Sequence, residues 1–274
     1  MAALFHDDRM DQLLQKFNYS PSARRAIQED LEQFFQESME TIARRYWSSA
    51  KSPENLTPEQ LRDYYSKSDR YVYESTYTEA YLDHQRMLRL ILRFARQQKK
   101  SPVLDFGGGG GGIALALARA GIHTEYADVP GKLPRFAQWR FFKHRVRVPV
   151  HGVLEPLPRH RYGMILAIDV LEHLTDLSGC IKKLHNGLKA GGSLVITQSF
   201  SPEDPLHIPA WFKYNDLKLF NQFMKEHRFI YQGRIKPDPI SVWIYKTLGQ
   251  PVVLHAHLSR KVKGGGNLLL YKKS

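Results

Sequence analysis

A run of six glycines at positions 107–112, set between an apolar segment and an alanine-rich one, constrains the fold more than any other feature of the sequence. Residues 103–106 are predicted as a buried strand, and the pattern over 113–120 predicts a helix. Glycine is needed between them because the backbone must turn sharply and admit a ligand where a Cβ would collide. The amide groups at the start of the helix suit a carboxylate or a phosphate. We therefore expect a ligand-binding turn at the carboxyl end of this strand.

Short β-rich runs alternate with helical segments after residue 101, which is typical of a doubly wound, mostly parallel α/β sheet. We predict strands at 103–106, 123–127, 147–150, 164–168 and 193–198. We predict the helices between them at 113–120, 133–143 and 177–188. A further helix is expected at 215–226, followed by strands at 229–235 and 267–271.

The first third of the chain is predicted to be helical, because apolar residues recur at spacings of three and four between residues 4 and 98. A Ser or Thr cap before proline predicts helix starts at Ser20-Pro21, Ser52-Pro53 and Thr57-Pro58. We therefore divide the chain into an N-terminal helical extension, residues 1–98, and a ligand-binding domain, residues 99–274, with an insertion at about 237–266.

The composition limits the partners and the compartment of the protein. The formal net charge of +13 favours anionic partners, among them nucleic acid and phosphorylated metabolites, without selecting one. The single cysteine, Cys180, excludes an internal disulfide or a cysteine-built metal cluster and fits a reducing compartment. The sequence shows neither an export signal nor an apolar run long enough to span a membrane. We expect a cytoplasmic protein.

Asp105, two residues before the glycine run, distinguishes two families that use such a turn. Nucleotide dehydrogenases place glycine directly at the end of the first strand. The pattern here, Asp105, Gly107, Gly109 and Gly111, instead resembles the first motif of the Rossmann-like class I S-adenosylmethionine-dependent methyltransferases. The resemblance implies that Asp105 helps to hold the methionine ammonium of S-adenosyl-L-methionine. It also implies that the glycines make room for the amino-acid part and the nearby ribose.

A second acid, Asp128, ends the strand predicted at 123–127, about twenty residues after the glycine run. A carboxylate there can accept hydrogen bonds from both ribose hydroxyls of the cofactor. The alternative is that Asp128 only caps the turn that follows it. We expect Asp128 to bind the ribose.

Residues 162–174 resemble the fourth-strand motif of the same family. An apolar strand is followed at once by Asp169, Val170, Leu171, Glu172 and His173, a frequent form of this motif in small-molecule methyltransferases. Ligands of doubly wound sheets bind at the carboxyl ends of the strands. The resemblance therefore implies that Asp169 and Val170 line the cofactor site. It covers residues 102–233 and does not extend to residues 1–98.

One position departs from the pattern of the family. Many relatives carry an aspartate in the loop after the third strand that receives the adenine amino group, whereas Val153 stands at the expected place here. Main-chain groups or Glu155 are the alternative adenine contacts. Because of the same departure, the alternative remains that the protein keeps the fold and binds a ligand without catalysing a reaction.

Methyl transfer to a hydroxyl or ammonium acceptor needs a base to take a proton. His173, in the fourth-strand motif, and His207, on the loop after the fifth strand, are the candidate catalytic residues, with His151 as a weaker one. For His173 the alternative is a packing role within the site. We expect no metal site.

Aromatic and basic residues flank the predicted site. Tyrosines are concentrated between residues 64 and 81, where they either pack the extension on the sheet or form a lid over the sulfonium. Tyr73 and Tyr77 are the candidates for a lid. The segment 132–147 interleaves cations with aromatic rings, which predicts either a solvated basic face or an anion-binding surface.

Taken together, these motifs predict a methyltransferase whose acceptor is a small or medium-sized metabolite, and the basic charge would suit an anionic one. Methylation of RNA or protein is the alternative, favoured by charge and disfavoured by the form of the fourth-strand motif. Neither Asn-Pro-Pro-Tyr nor Asp-Pro-Pro-Tyr follows that strand, which argues against methylation of the amino groups of nucleic-acid bases. A nicotinamide dehydrogenase is a third alternative.

Overall fold

The computed structural model describes residues 20–48, 56–202, 206–234 and 268–273. The predicted insertion at 237–266 and the helix start expected at Ser52-Pro53 lie outside these residues. Both other predicted starts are confirmed. Ser20 accepts a hydrogen bond from the amide of Ala23 at 3.4 Å, and Thr57 forms a reciprocal capping box with Gln60.

The described residues of the N-terminal region, 20–48 and 56–98, fold mostly into helices, as predicted. A 3-10 turn, Thr78–Ala80, precedes the longest of them. The helices are α1 (Pro21–Phe35), α2 (Met39–Ser48), α3 (Pro58–Lys67), α4 (Asp69–Tyr77) and α5 (Leu82–Gln98). We call α1 to α4 together with the turn 78–80 the helical cap.

The remaining described residues form a seven-stranded sheet with helices on both faces, which confirms the predicted fold class. The strands are β1 (Val103–Phe106), β2 (Thr124–Asp128), β3 (Val150–Gly152), β4 (Tyr162–Ala167), β5 (Leu188–Ile196), β6 (Phe229–Arg234) and β7 (Leu269–Lys273). The helices are α6 (Gly112–Arg119), α7 (Lys132–Lys143), α8 (Leu177–Gly187) and α9 (Leu217–Glu226). Short 3-10 turns cover Leu171–His173 and Pro209–Asn215.

The strand order is β3-β2-β1-β4-β5-β7-β6. The first five strands pair in parallel, so their carboxyl ends meet at one edge of the sheet. β7 runs antiparallel to both of its neighbours, β5 and β6. Among the described residues, no helix combines the length and the apolar character that a bilayer crossing requires.

The third strand lies later in the chain than predicted. We expect it at 147–150, and the structure has it at Val150–Gly152. Pro149 has no amide hydrogen to donate to a neighbouring strand. Its carbonyl still accepts a hydrogen bond from the amide of Tyr126 at 2.9 Å, and regular pairing starts only beyond it.

The fifth strand begins earlier than predicted, at Leu188 instead of residue 193. The glycines at 191 and 192 predict a turn from sequence. In the structure Leu188 pairs with Tyr162, and Ser193 pairs with Met164. A shift of the register between these two pairs accommodates the additional residues of β5. The strand therefore includes a segment whose residues 189–191 are exposed.

The apolar contacts of the helical cap with the sheet domain are made through one helix, α7. Apolar residues of α1, α2 and α4 share a buried cluster with Leu133 and Phe136 of α7. α5 packs differently, because its Ile91 and Ala95 lie in a cluster with Val103 of β1 and with α6. The boundary predicted after residue 98 stays a prediction.

Candidate active site

The glycine run forms a tight turn at the carboxyl end of β1. Gly107 has a φ of 71°, and Gly111, directly before α6, has a φ of 80°, values that glycine adopts without strain. A Cβ on Gly107 would lie 2.5 Å from the side chain of Val170. The turn is therefore packed directly against the segment that follows β4.

Asp105 lies within β1 and is 1% exposed. Its Oδ2 accepts a hydrogen bond from the amide of Ala114, in the first turn of α6, at 3.0 Å. Burial raises the pKa of Asp105 to about 7, and the nearby carboxylates of Asp128 and Glu79 add to the shift. A carboxyl group in this state is stabilised by a cationic partner, such as an ammonium group.

Asp128 ends β2 and is also buried. Its Oδ2 accepts a hydrogen bond from the amide of Gly109 at 2.8 Å, and its Oδ1 accepts one from the amide of Val129 at 2.6 Å. Burial raises the pKa of Asp128 to about 6, while these hydrogen bonds oppose the shift. Asp128 thus fixes the shape of the glycine turn. A carboxylate oxygen can accept more than one hydrogen bond, so Asp128 can also accept one from a ligand hydroxyl.

Asp169 comes directly after β4, at the same edge of the sheet. Its side chain is exposed, and its φ of 52° is uncommon for a residue other than glycine. The amide of Asp169 donates to the hydroxyl of Thr197 at 2.6 Å, which holds this conformation. Backbone strain of this kind is concentrated at functional sites.

The two candidate bases lie side by side. The ring centroids of His173 and His207 are 4.9 Å apart. The amide of Ile208 donates to the main-chain oxygen of Glu172 at 2.9 Å, so the loop after β5 is held against the turn after β4. His151 lies elsewhere, with its Nε2 2.9 Å from the carboxylate of Glu125.

The tyrosines divide into two groups. Tyr73 and Tyr77 are 1% and 5% exposed, and their rings stack 5.5 Å apart inside the helical cap. The structure therefore supports the packing interpretation for this pair and not the lid. Tyr65 is the tyrosine that reaches the site, because its hydroxyl lies 3.1 Å from Nδ1 of His173.

Polar residues of the cap lie against the glycine run, and the sequence motifs do not include them. A Cβ on Gly110 would lie 2.5 Å from Oγ1 of Thr76, and the amide of Gly112 donates to Glu79 at 3.2 Å. Among the described residues, the Thr76 hydroxyl and Nε2 of His84 are buried without a hydrogen-bond partner. Burial lowers the pKa of His84. Buried polar atoms are nearly always paired, and a ligand bound at the glycine run is one partner that these two atoms could take.

Three cations of the basic segment 132–147 contact the helical cap. Arg140 is buried and donates to the carbonyl of Gly110 at 2.6 Å and to Asp30 at 2.9 Å. Lys132 and Lys143 form ion pairs with Asp69 and Asp30, respectively. The anion-binding interpretation is not supported for these three cations.

Val153, the position that departs from the family pattern, uses its main chain within the protein. Its amide donates to the carbonyl of Asp128 at 3.0 Å, and its carbonyl accepts from Lys183 at 2.7 Å. Glu155 is exposed nearby. Of the two alternative adenine contacts, these bonds favour Glu155.

A family model described as a methyltransferase domain matches residues 79–234, which is more than half of the chain. The chain belongs to the class I S-adenosylmethionine-dependent methyltransferase family. No curated protein matches this methyltransferase.

Solved structures share the fold of the methyltransferase. The YcgJ protein of Bacillus subtilis is 19% identical, with 69% of this chain and 99% of that chain covered and a TM-score of 0.50. The S-adenosylmethionine-dependent methyltransferase SibL is 15% identical, with 90% and 74% covered and a TM-score of 0.50. StiE O-MT is 14% identical, with 85% and 81% covered and a TM-score of 0.50. At these identities the likeness concerns the fold alone.

S-adenosylmethionine is the cofactor of the family, and the residues of this methyltransferase fit it. The glycine turn leaves backbone without side chains beside two buried carboxyl groups, Asp105 and Asp128. Thr76 and His84 supply buried polar atoms that lack partners among the described residues. The site thus offers acids for the ammonium and the sugar together with further polar contacts.

Proposed function

We propose that this methyltransferase methylates a small or medium-sized metabolite at the carboxyl edge of its sheet. When bound, S-adenosylmethionine supplies a methyl group that is already activated on a sulfonium. The observation that carries the proposal is the convergence of the glycine turn, Asp105, Asp128 and Asp169 at that edge. Asp105 would hold the ammonium, and Asp128 would hold the ribose.

Other residues near the same edge of the sheet would supply the remaining contacts of the cofactor. Val170 packs on the glycine turn and would border the cofactor together with Gly107, Gly109 and Gly111. His84 and Thr76 would supply hydrogen bonds from the side of α5 and the cap. Glu155 would receive the adenine amino group.

The acceptor would approach from the side of His173 and His207. An acceptor hydroxyl or ammonium has to lose a proton, and these two adjacent imidazoles would take or direct it. Tyr65 contacts His173 from α3, so the helical cap restricts approach to the pair. A restricted approach supports a metabolite over a polymer, and an anionic metabolite would suit the charge of +13.

Cofactor binding is the first test. Calorimetry with S-adenosylmethionine and its demethylated product should show one site per chain. The substitution Asp128→Asn should weaken binding at least tenfold, because a neutral amide replaces a bidentate acceptor. Asp83→Asn is the matched control, since Asp83 lies on the exposed side of α5 and pairs with Arg86. Equal affinity in both variants, or no binding to the unmodified protein, would contradict the proposal.

The class of acceptor can be tested with a labelled methyl group. Label should enter the small-molecule fraction of a cell extract and not its RNA or protein. Transfer to RNA would instead support the alternative that the net charge favours, and its salt dependence would measure the contribution of phosphate contacts.

A further inference from the structure

Three potential metal ligands converge beside the proposed acceptor site, and we infer that Glu172, His173 and His207 bind a divalent transition-metal ion. One ligand atom from each side chain lies within 4.8 Å of the others. An ion sits roughly 2.1 Å from nitrogen or carboxylate ligands, so modest side-chain rotation closes the set around one ion. The sequence predicts no such site, because His207 reaches the other two only through the fold.

Both imidazoles are oriented as metal ligands usually are. Nδ1 of His207 lies 2.7 Å from the main-chain oxygen of Ser201, and Nδ1 of His173 lies 3.2 Å from that of Leu206. A carbonyl oxygen only accepts hydrogen bonds, so Nδ1 carries the proton in each ring, and the Tyr65 hydroxyl, 3.1 Å from Nδ1 of His173, is then a second acceptor of that proton. The lone pair therefore lies on Nε2. A backbone carbonyl that fixes the opposite nitrogen is the usual second partner of a metal-binding histidine.

The surroundings favour a cation. Glu172 is 1% exposed, so its carboxylate would attract a bound ion in surroundings that screen charge less than water does. Asp169 lies three residues before Glu172 and adds a second acid to the region.

The donor set indicates which ions fit. Two imidazole nitrogens and one carboxylate suit Zn²⁺, Mn²⁺, Fe²⁺ or Co²⁺, whereas Mg²⁺ and Ca²⁺ prefer sites made of oxygen alone. Three protein ligands leave coordination positions open. On the proposed function, an acceptor hydroxyl would take one of them, and its pKa would be lowered so that its proton passes to solvent. The histidines would then position the acceptor through the ion and would not accept its proton themselves.

Metal binding can be measured with Co²⁺ alone, without cofactor or acceptor. The unmodified protein should bind one Co²⁺ per chain, seen by calorimetry and by visible absorption. Glu172→Gln, His173→Asn and His207→Asn should each weaken binding at least tenfold. His123→Asn is the matched control, because His123 is exposed at the start of β2, away from the carboxyl edge. Affinity that is unchanged in all three variants, or the absence of a stoichiometric site, would overturn the proposal.

Two further measurements keep the outcome clear. If a variant fails to fold, spin-echo spectroscopy of Mn²⁺ in the unmodified protein decides: nitrogen couplings from imidazole support the site, and couplings from oxygen ligands alone overturn it. Binding of the demethylated cofactor is measured in parallel. A protein that binds the cofactor but no metal would refute the metal site alone, whereas one that binds metal but no cofactor would refute the proposed function.

Discussion

The guanidinium of Arg140 binds both carboxylate oxygens of Glu79, at 3.0 and 3.1 Å. The two side chains are 4% and 9% exposed, so this ion pair lies in the interior. Glu79 also accepts a hydrogen bond from the amide of Gly112, and Arg140 also donates one to the carbonyl of Gly110. The helical cap and the glycine turn are therefore joined through one pair of charges.

Removing the cation of this pair should destabilise the whole protein. Arg140→Met leaves Glu79 and Asp30 without their guanidinium, and breaking a buried ion pair costs about 3–5 kcal/mol. Urea unfolding measures this loss. Arg86→Met is the control, because the pair of Arg86 with Asp83 is more exposed and contributes about 0–1 kcal/mol. A similar loss of stability in both variants would contradict the role of the buried network.

Affinity for the demethylated cofactor, which keeps the ammonium, should rise with pH. The pKa of Asp105 is raised to about 7, and only the ionised carboxylate attracts the ammonium. Affinity should therefore increase by up to about tenfold per unit as pH rises toward 7 and should level off above it. Asp105→Asn should bind weakly and should keep only the pH dependence that Asp128, with its pKa raised to about 6, contributes. Calorimetry from pH 5.5 to 8 checks this, and a flat profile in the unmodified protein would exclude Asp105 as the ammonium partner.

The stability of the cofactor-free protein should change with pH in the opposite direction. A carboxyl group whose pKa is raised on folding, from 3.8 to about 7, is more protonated in the folded state. Stability therefore falls as pH rises between these values and is constant outside them. Between pH 5 and 8, Asp105 should cost on the order of 2–3 kcal/mol. Asp105→Asn should reduce the fall seen in urea unfolding, and an undiminished fall would assign it to other groups.

Thr76→Val should separate cofactor binding from stability. The Thr76 hydroxyl is buried without a partner among the described residues, so replacing it with a methyl group should not lower stability. Cofactor affinity should fall several-fold if the hydroxyl contacts the ligand. Thr78→Val, in the exposed part of the adjacent turn, is the control. A loss of stability with unchanged cofactor affinity would show that Thr76 is structural.

Tyr65→Phe should lower kcat/KM by roughly fivefold, because one hydrogen bond of about 1 kcal/mol to His173 is lost. Cofactor affinity should stay the same, since Tyr65 lies on the acceptor side. Tyr64→Phe is the control, because the Tyr64 hydroxyl donates to Glu74, within the cap. Equal kcat/KM in the two variants would remove Tyr65 from the acceptor site.

The sheet and its helices follow closely from sequence because each element has its own pattern. α6, α7 and α8 begin and end within one residue of the predicted bounds. The errors fall where tertiary pairing overrides a local signal, as when Tyr162 pairs with Leu188 and brings a glycine-containing turn into β5. Pro149 has the opposite effect on β3, because regular pairing of that strand starts only after the proline, at Val150.

The site was predictable only where residues follow a strand directly. Asp105, Asp128 and Asp169 lie near or directly after the carboxyl ends of strands that share an edge, so their neighbourhood follows from the topology. Thr76 and His84 come from helices that pack over that edge, and local periodicity does not report which helix packs where. Thr76 lies on the helix face that also carries Tyr73 and Tyr77. Its polar side chain on that face was the only sequence signal of a role in the site.

The position of β7 between β5 and β6 affects how the molecule is made. The described sheet is completed by residues 269–273, which are synthesised after the other described strands, yet β6 has no partner among these strands except β7. A nascent chain that has emerged only as far as Arg234 therefore presents β5 as an unpaired edge with unsatisfied amide and carbonyl groups. Translation that stops before β7 would thus produce a polypeptide prone to self-association, although every proposed ligand contact would already be present.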